Sequence, residues 1–194
     1  MINELNDLSN KINDDLGLKQ QSQQLLLEAN IETLREGREL LDLLDQGLFQ
    51  RPCRPAFQST IGEHFRHILE HFVCFFEQLE CNTICYDQRQ RDRRLEQDFE
   101  FALETIAKLE NELQNFDPSY FEKSYLICDQ QTSGPIITSL ERELLFLQSH
   151  TTHHYAIIAA IARAHGTQPQ ADFGVAIATR VFQNEQRESG ICAP

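Results

Sequence analysis

Apolar residues recur along much of this chain at steps of three and four, the spacing of helices with one buried face. From Gln23 to Gly47 the repeat is carried by Leu26, Ala29, Leu34, Leu40, Leu41 and Leu44, with Gly47 as a stop. Gln50 to Gln58 holds Pro52 and Pro55 and reads as a loop. Ser59 or Thr60 then suits an N-cap, and Glu63 stands at the capping-box distance from Thr60. The helix that follows runs to about Cys81, with Ile61, Phe65, Ile68, Phe72, Phe75 and Phe76 on its apolar side. Cys85 to Arg94 is a charged loop, and a third helix spans roughly Leu95 to Asn115, ended by Asp117-Pro118. Residues 119–137 lose the helical period; Ser124 to Cys128 suits a short strand and Ser133-Gly134-Pro135 a turn. A fourth long helix runs from about Ser139 to His165 with Gly166 at C′, and residues 175–186 suit a last short helix.

Four long helices with modest loops predict an all-α fold, an antiparallel four-helix bundle with a short extra helix at the C-terminus. Residues 1–20 are rich in Asn, Asp and Lys with weak periodicity. They read as a polar arm, frayed or forming a short helix outside the core. Residues 21–194 then make one domain, and 194 residues suffice for one core but are short for two.

Composition supports helices, since Gly (8) and Pro (6) are scarce. The net charge of −13 repels phosphate, which excludes nucleic acid and anionic membrane surfaces as partners. No apolar run reaches the roughly 18 residues of a membrane span. Met1 to Lys19 is polar and lacks the apolar core of a signal peptide, so a cytoplasmic protein with reduced thiols is expected. The six cysteines (Cys53, Cys74, Cys81, Cys85, Cys128, Cys192) form no CxxC pair. Cys81 and Cys85, four apart, could serve a metal or a redox pair, but read more simply as ordinary small residues.

Six of the seven histidines change the picture. His64, His67 and His71 fall within roughly 60° of one another on one predicted helix. His150, His153 and His154 share the last long helix, and His150 and His154, at i and i+4, project about 40° apart. A helix supplies two imidazoles to one metal in this way, and a third ligand must come from elsewhere in the fold. Three protein ligands leave a position for water or substrate. A solvated face is the plain alternative. It loses ground because Leu145, Phe146 and Leu147 precede the cluster and Ala156, Ile157, Ile158 and Ala159 follow it, and buried imidazoles need engagement. The spacing alone leaves the third ligand open among His64, His67 and His71.

The run Ser59-Thr60-Ile61-Gly62-Glu63-His64-Phe65-Arg66-His67-Ile68-Leu69-Glu70-His71-Phe72 resembles the second helix of the DinB-like (DinB/YfiT) metal-binding family. Ser149-His150-Thr151-Thr152-His153-His154-Tyr155 resembles the other half of its site. Arg142 to Leu147 and Ala171 to Ala176 also look typical of one branch, and the resemblance covers the chain from about Gln23 onward. It implies an up-down-down-up bundle, a homodimer, and one divalent ion, zinc or nickel, on three histidines. By that resemblance the ligands are His150, His154 and His67, which stands five residues after Gly62. His71 and His64 are the alternative third ligands, and His153 is a group behind the ligands or in the pocket. The implied chemistry is thiol-dependent transfer or isomerisation, with glutathione, bacillithiol or mycothiol activated at the metal, or hydrolysis by an activated water. The small-molecule electrophile is not identified. The alternative is a non-catalytic bundle stapled by its metal, in a stress or interaction role, which a fourth ligand such as His71 or Cys74 would favour.

Other candidates carry two readings each. Arg66 and Arg142 could hold a substrate carboxylate, but pairing with Glu63, Glu70, Glu141 or Glu143 is preferred. Glu70 could hydrogen-bond a ligand imidazole or lie on an exposed face. Tyr155 could line the pocket or sit in the core. Arg89, Arg91, Arg93 and Arg94 could capture an anionic thiol, but read first as a charged surface loop. There is no Ser-His-Asp order, Gly-rich phosphate loop or HExxH.

Overall fold

The computed structural model describes residues 2–56 and 58–188, with the side chains of 15–56 and 58–188. Cys192 lies outside the described residues. The first helix, α1 (Ile2–Leu41), is 40 residues long. The expected arm is therefore continuous with the first long helix. No proline precedes Pro52, so nothing breaks the turn pattern across the arm. The side chains of 15–20 are exposed, so this stretch does stand outside the core. α1 also stops before Gly47. Asp45 caps a short helix, α2 (Gln46–Phe49), by accepting from the Leu48 amide at 2.7 Å, and Gly47 lies inside it.

Helix α3 (Ile61–Gln78) opens with the expected capping box. The Glu63 amide donates to Thr60 Oγ1 at 3.1 Å, and the Thr60 amide donates to Glu63 Oε2 at 2.7 Å. Gly62 sits where a Cβ would stand 2.5 Å from the Glu96 carbonyl oxygen, so only glycine lets the two backbones approach. The third expected helix is broken in two, α4 (Arg94–Gln97) and α5 (Phe99–Gln114). Asp98 stands at the break in an extended conformation and caps α5 through the Phe101 amide at 3.1 Å. A residue taken for helix interior is thus an N-cap. Asp117 likewise caps a turn of 3-10 helix, Pro118–Glu122.

Three short strands, β1 (Thr83–Ile84), β2 (Tyr125–Ile127) and β3 (Ile136–Thr138), form one sheet. β1 runs parallel to β2 and β3 antiparallel to it. Only β2 was expected. Helix α6 (Leu140–Ala164) has Ser139 as its cap and ends at Gly166, whose φ of +89° suits glycine. The last helix is α7 (Ile177–Glu188).

The chain is mostly helical, as an all-α reading requires. α1 and α3 each pack against both α5 and α6. Their shared core holds Leu34, Phe65, Phe72, Phe75, Leu144 and Ile158, all essentially buried. Each such side chain contributes roughly 1.5–3 kcal/mol through burial. Among the described residues no helix is long and apolar enough to cross a membrane.

Candidate metal centre

The contact between α3 and α6 brings the two histidine clusters together. Phe65, Ile68, Leu69 and Phe72 bury one face of α3, and Leu147, Thr151, Tyr155 and Ile158 bury one face of α6. His67, His150 and His154 stand at the edge of those faces, half-buried, with one ring nitrogen each within 4.8 Å of the others. His150 Nε2 lies 3.0 Å from His67 Nε2. The His67 ring lies 4.5 Å from that of His154, and the His150 and His154 rings 4.6 Å apart. Two nitrogens bound tetrahedrally to one zinc ion stand about 3.3 Å apart, so the closest pair needs to open by only a few tenths of an ångström. Three neutral imidazoles with no carboxylate or thiolate suit zinc or nickel.

Two of these candidate ligands are held from behind, in opposite ways. His154 Nδ1 lies 2.9 Å from His64 Nδ1, and His64 Nε2 lies 2.8 Å from Ser59 Oγ. With the proton of His154 on Nδ1, it donates to His64, whose Nε2–H donates to Ser59. His154 Nε2 then offers its lone pair to the cluster, the arrangement that fixes a ligand tautomer. On the other side, Arg89 Nη2 donates to His67 Nδ1 at 3.0 Å. That places the His67 proton on Nε2, donating to His150. A metal at His67 Nε2 would need this proton on Nδ1. A guanidinium cannot accept it, so Arg89 must then release His67.

Arg89 is anchored by Glu70. The buried Glu70 carboxylate lies 3.4 Å from Arg89 Nε, 3.6 Å from Arg66 Nε and 3.4 Å from Arg91 Nη1, and accepts from the Asp92 amide at 3.0 Å. Glu70 thus touches the centre only through Arg89, and is neither hydrogen-bonded to an imidazole nor exposed. Arg66 also pairs with Glu96. Of the carboxylates expected to pair with Arg66, Glu70 lies beside it, and Glu96 is a partner the spacing did not suggest. Arg142 is exposed in the first turn of α6, two turns before His150.

The remaining candidates separate clearly. His71 is buried; its Nδ1–H donates to the His67 carbonyl at 2.6 Å, and its ring lies 4.5 Å from those of His67 and His150. It stands outside the three-nitrogen group. His153 is exposed and lines a cavity of about 280 Å³ with Ser149, Thr152 and Gly174. Tyr155 is a core residue, not a pocket one. It is 1% exposed and stacked on Phe173 at 4.5 Å. Cys74 is buried too; its thiol donates to the Cys85 carbonyl at 3.6 Å, and it is not part of the three-nitrogen group.

Burial is the main force on the histidine protons. It pulls His67 down to about 2, helped by His71, His154, His150 and Arg89. His154 falls to about 3 through burial and then His150 and His64. His150 falls to about 4 through burial, His153 and Arg89, and His71 to about 4 through burial opposed by its bond to the His67 carbonyl. Burial also lowers His64, against the pull of Glu63. All five rings are therefore neutral at pH 7, the form a metal takes.

Two contacts escaped sequence reasoning, Arg89 on His67 and Ser59 on His64. The sequence offers Ser59 only as a cap, and Arg89 only as one of four loop arginines. Comparison with protein-family models, with curated proteins and with solved structures finds no match to this chain.

Proposed function

We propose that the chain is a DinB-like protein that holds one divalent ion, zinc or nickel, on His67, His150 and His154. The observation that carries this reading is the convergence of three neutral ring nitrogens from α3 and α6 within 4.8 Å. The sequence resemblance of the two histidine runs supports the same residues. In this reading α1, α3, α5 and α6 form an up-down-down-up four-helix bundle, and the protein works as a cytoplasmic homodimer.

Three protein ligands leave a coordination position open, which favours an enzyme over a staple. The bound ion would supply a Lewis acid that lowers the pKa of a thiol or water at that position, for S-transfer, isomerisation or hydrolysis on a small molecule. The chain's own residues have defined parts. His67, His150 and His154 donate lone pairs, His64 and Ser59 hold the His154 tautomer, and the half-buried rings limit access of bulk water.

Metal content of the purified protein, by elemental analysis, is the test. Wild type is expected to carry close to one ion per chain, and His150→Ala and His154→Ala close to none. Full metal in both variants would overturn the site. A thermal-shift screen of the loaded protein with low-molecular-weight thiols then tests the enzyme. No shift with any thiol counts against transfer chemistry.

A second reading has its own observation. The buried His71 ring lies 4.5 Å from two of the candidate ligand rings, close to the group though outside it, and a small shift of its ring would offer a fourth ligand. That favours a metal-stapled, non-catalytic fold. Loss of bound metal in His71→Ala would support it, and full metal there would leave the open site standing.

A further inference from the structure

The sheet beside the centre brings together two cysteines far apart in sequence. β1 pairs with β2 in parallel, with Thr83 opposite Leu126 and Ile84 opposite Ile127. The next opposed pair is Cys85 and Cys128, and the Cys128 amide still donates to the Ile84 carbonyl at 2.9 Å. Opposed residues on neighbouring strands sit about 4.8 Å apart with side chains on the same face. A disulfide needs Cα atoms about 4.4–6.8 Å apart. Both residues are half-buried and line one cavity of about 200 Å³, with Asp87, Gln88, Asp129 and Gln130.

We infer that Cys85 and Cys128 are a redox pair that closes reversibly to a disulfide between β1 and β2. The two thiols lose two protons and two electrons as one S–S bond forms. A disulfide oxidant such as glutathione disulfide accepts them and leaves as two glutathione thiols. Cys81 is exposed in the preceding 3-10 turn, and Cys74 is buried with its thiol spent on the Cys85 carbonyl. Burial raises the Cys85 pKa, and the adjacent Cys128 thiol adds to this. The Cys85 thiol is thus poorly ionised at rest, which slows closure but does not stabilise the reduced form.

The position has a consequence for the neighbouring chain. Cys85 directly precedes Tyr86, whose ring lies 5.4 Å from that of His71 and whose carbonyl accepts from Arg89 at 2.8 Å. A bond to Cys128 would staple the turn that carries Arg89 to β2. The inference stands on the sheet register and does not depend on a metal.

The test is to equilibrate the full chain with reduced and oxidised glutathione over a wide range of ratios, block free thiols, and map tryptic peptides by mass. The expected product joins the peptide of residues 67–89 to that of residues 124–142, and dithiothreitol reverses it. It should persist in Cys81→Ser and vanish in Cys85→Ser, which separates Cys85 from its neighbours on the same peptide. Free thiols at every ratio, mixed disulfides with glutathione alone, or a joined peptide that survives Cys85→Ser would each overturn the inference.

Discussion

The two flanks of the histidine cluster are built on opposite chemistry. On the His154 flank the outer ring nitrogen meets His64, a neutral imidazole that can accept a proton. On the His67 flank it meets Arg89, which can only donate. One flank prepares its ligand for a metal, and the other withholds its ligand and adds a positive charge nearby. The difference teaches that two ligands equal by distance can be unequal by tautomer, so the affinity of the centre is set as much by what stands behind the rings as by the rings.

The largest effect should come from removing a ligand. His67→Ala is expected to lower zinc or nickel affinity by at least 100-fold in a calorimetric titration, whichever flank it belongs to. Arg89→Gln should move the other way and tighten binding by about 10-fold, because the Gln carbonyl accepts the His67 Nδ1–H that the guanidinium refuses. Glu70 keeps Arg66, Arg91 and the Asp92 amide, so this variant should still fold. Unchanged or weaker affinity in Arg89→Gln would break the comparison. His64→Leu should weaken binding by about 10-fold, since His154 loses its acceptor.

The smallest effect is on pH, and it has a definite sign. His67, His71, His150 and His154 titrate at about 2 to 4 in the folded chain, below the ordinary value near 6.5. Between about pH 6.5 and 4 the unfolded chain binds protons at these rings and the folded chain does not. Stability of the metal-free protein should therefore be full above pH 6.5 and fall progressively as pH drops toward 4. Urea midpoints at pH 7, 6 and 5 would show this, and His67→Ala should flatten the slope.

How much of this was legible in the chain varies by residue. His150 and His154 announce themselves because an i, i+4 pair is a local property of one helix. His67 needed the family resemblance, since three histidines on α3 share a face and only tertiary packing assigns one to the three-histidine group, one to His154 and one to a backbone carbonyl. Arg89 was hidden because its partner lies 22 residues away across a loop. Tyr155 was ambiguous because the period that places it near the HxxxH also places it on the buried face. The long helices and the capping box were plain, whereas β1 and β3, two and three residues long, carry too little pattern to stand out. Asp98 misled because one cap residue inside a helical run looks like an exposed polar position.

The close approach at Gly62 has a meaning beyond space filling. With the Glu96 carbonyl against its bare Cα and the Thr60–Glu63 box just before it, the start of α3 is fixed in rotational phase. His67 follows five residues later, about 7.5 Å up the axis and a fixed angle around it. A slip of one residue would swing that ring by about 100° and carry it out of reach of α6. The glycine therefore works as a timing mark for the helix, and the distance from Gly62 to His67 sets where that ring meets the histidines of α6.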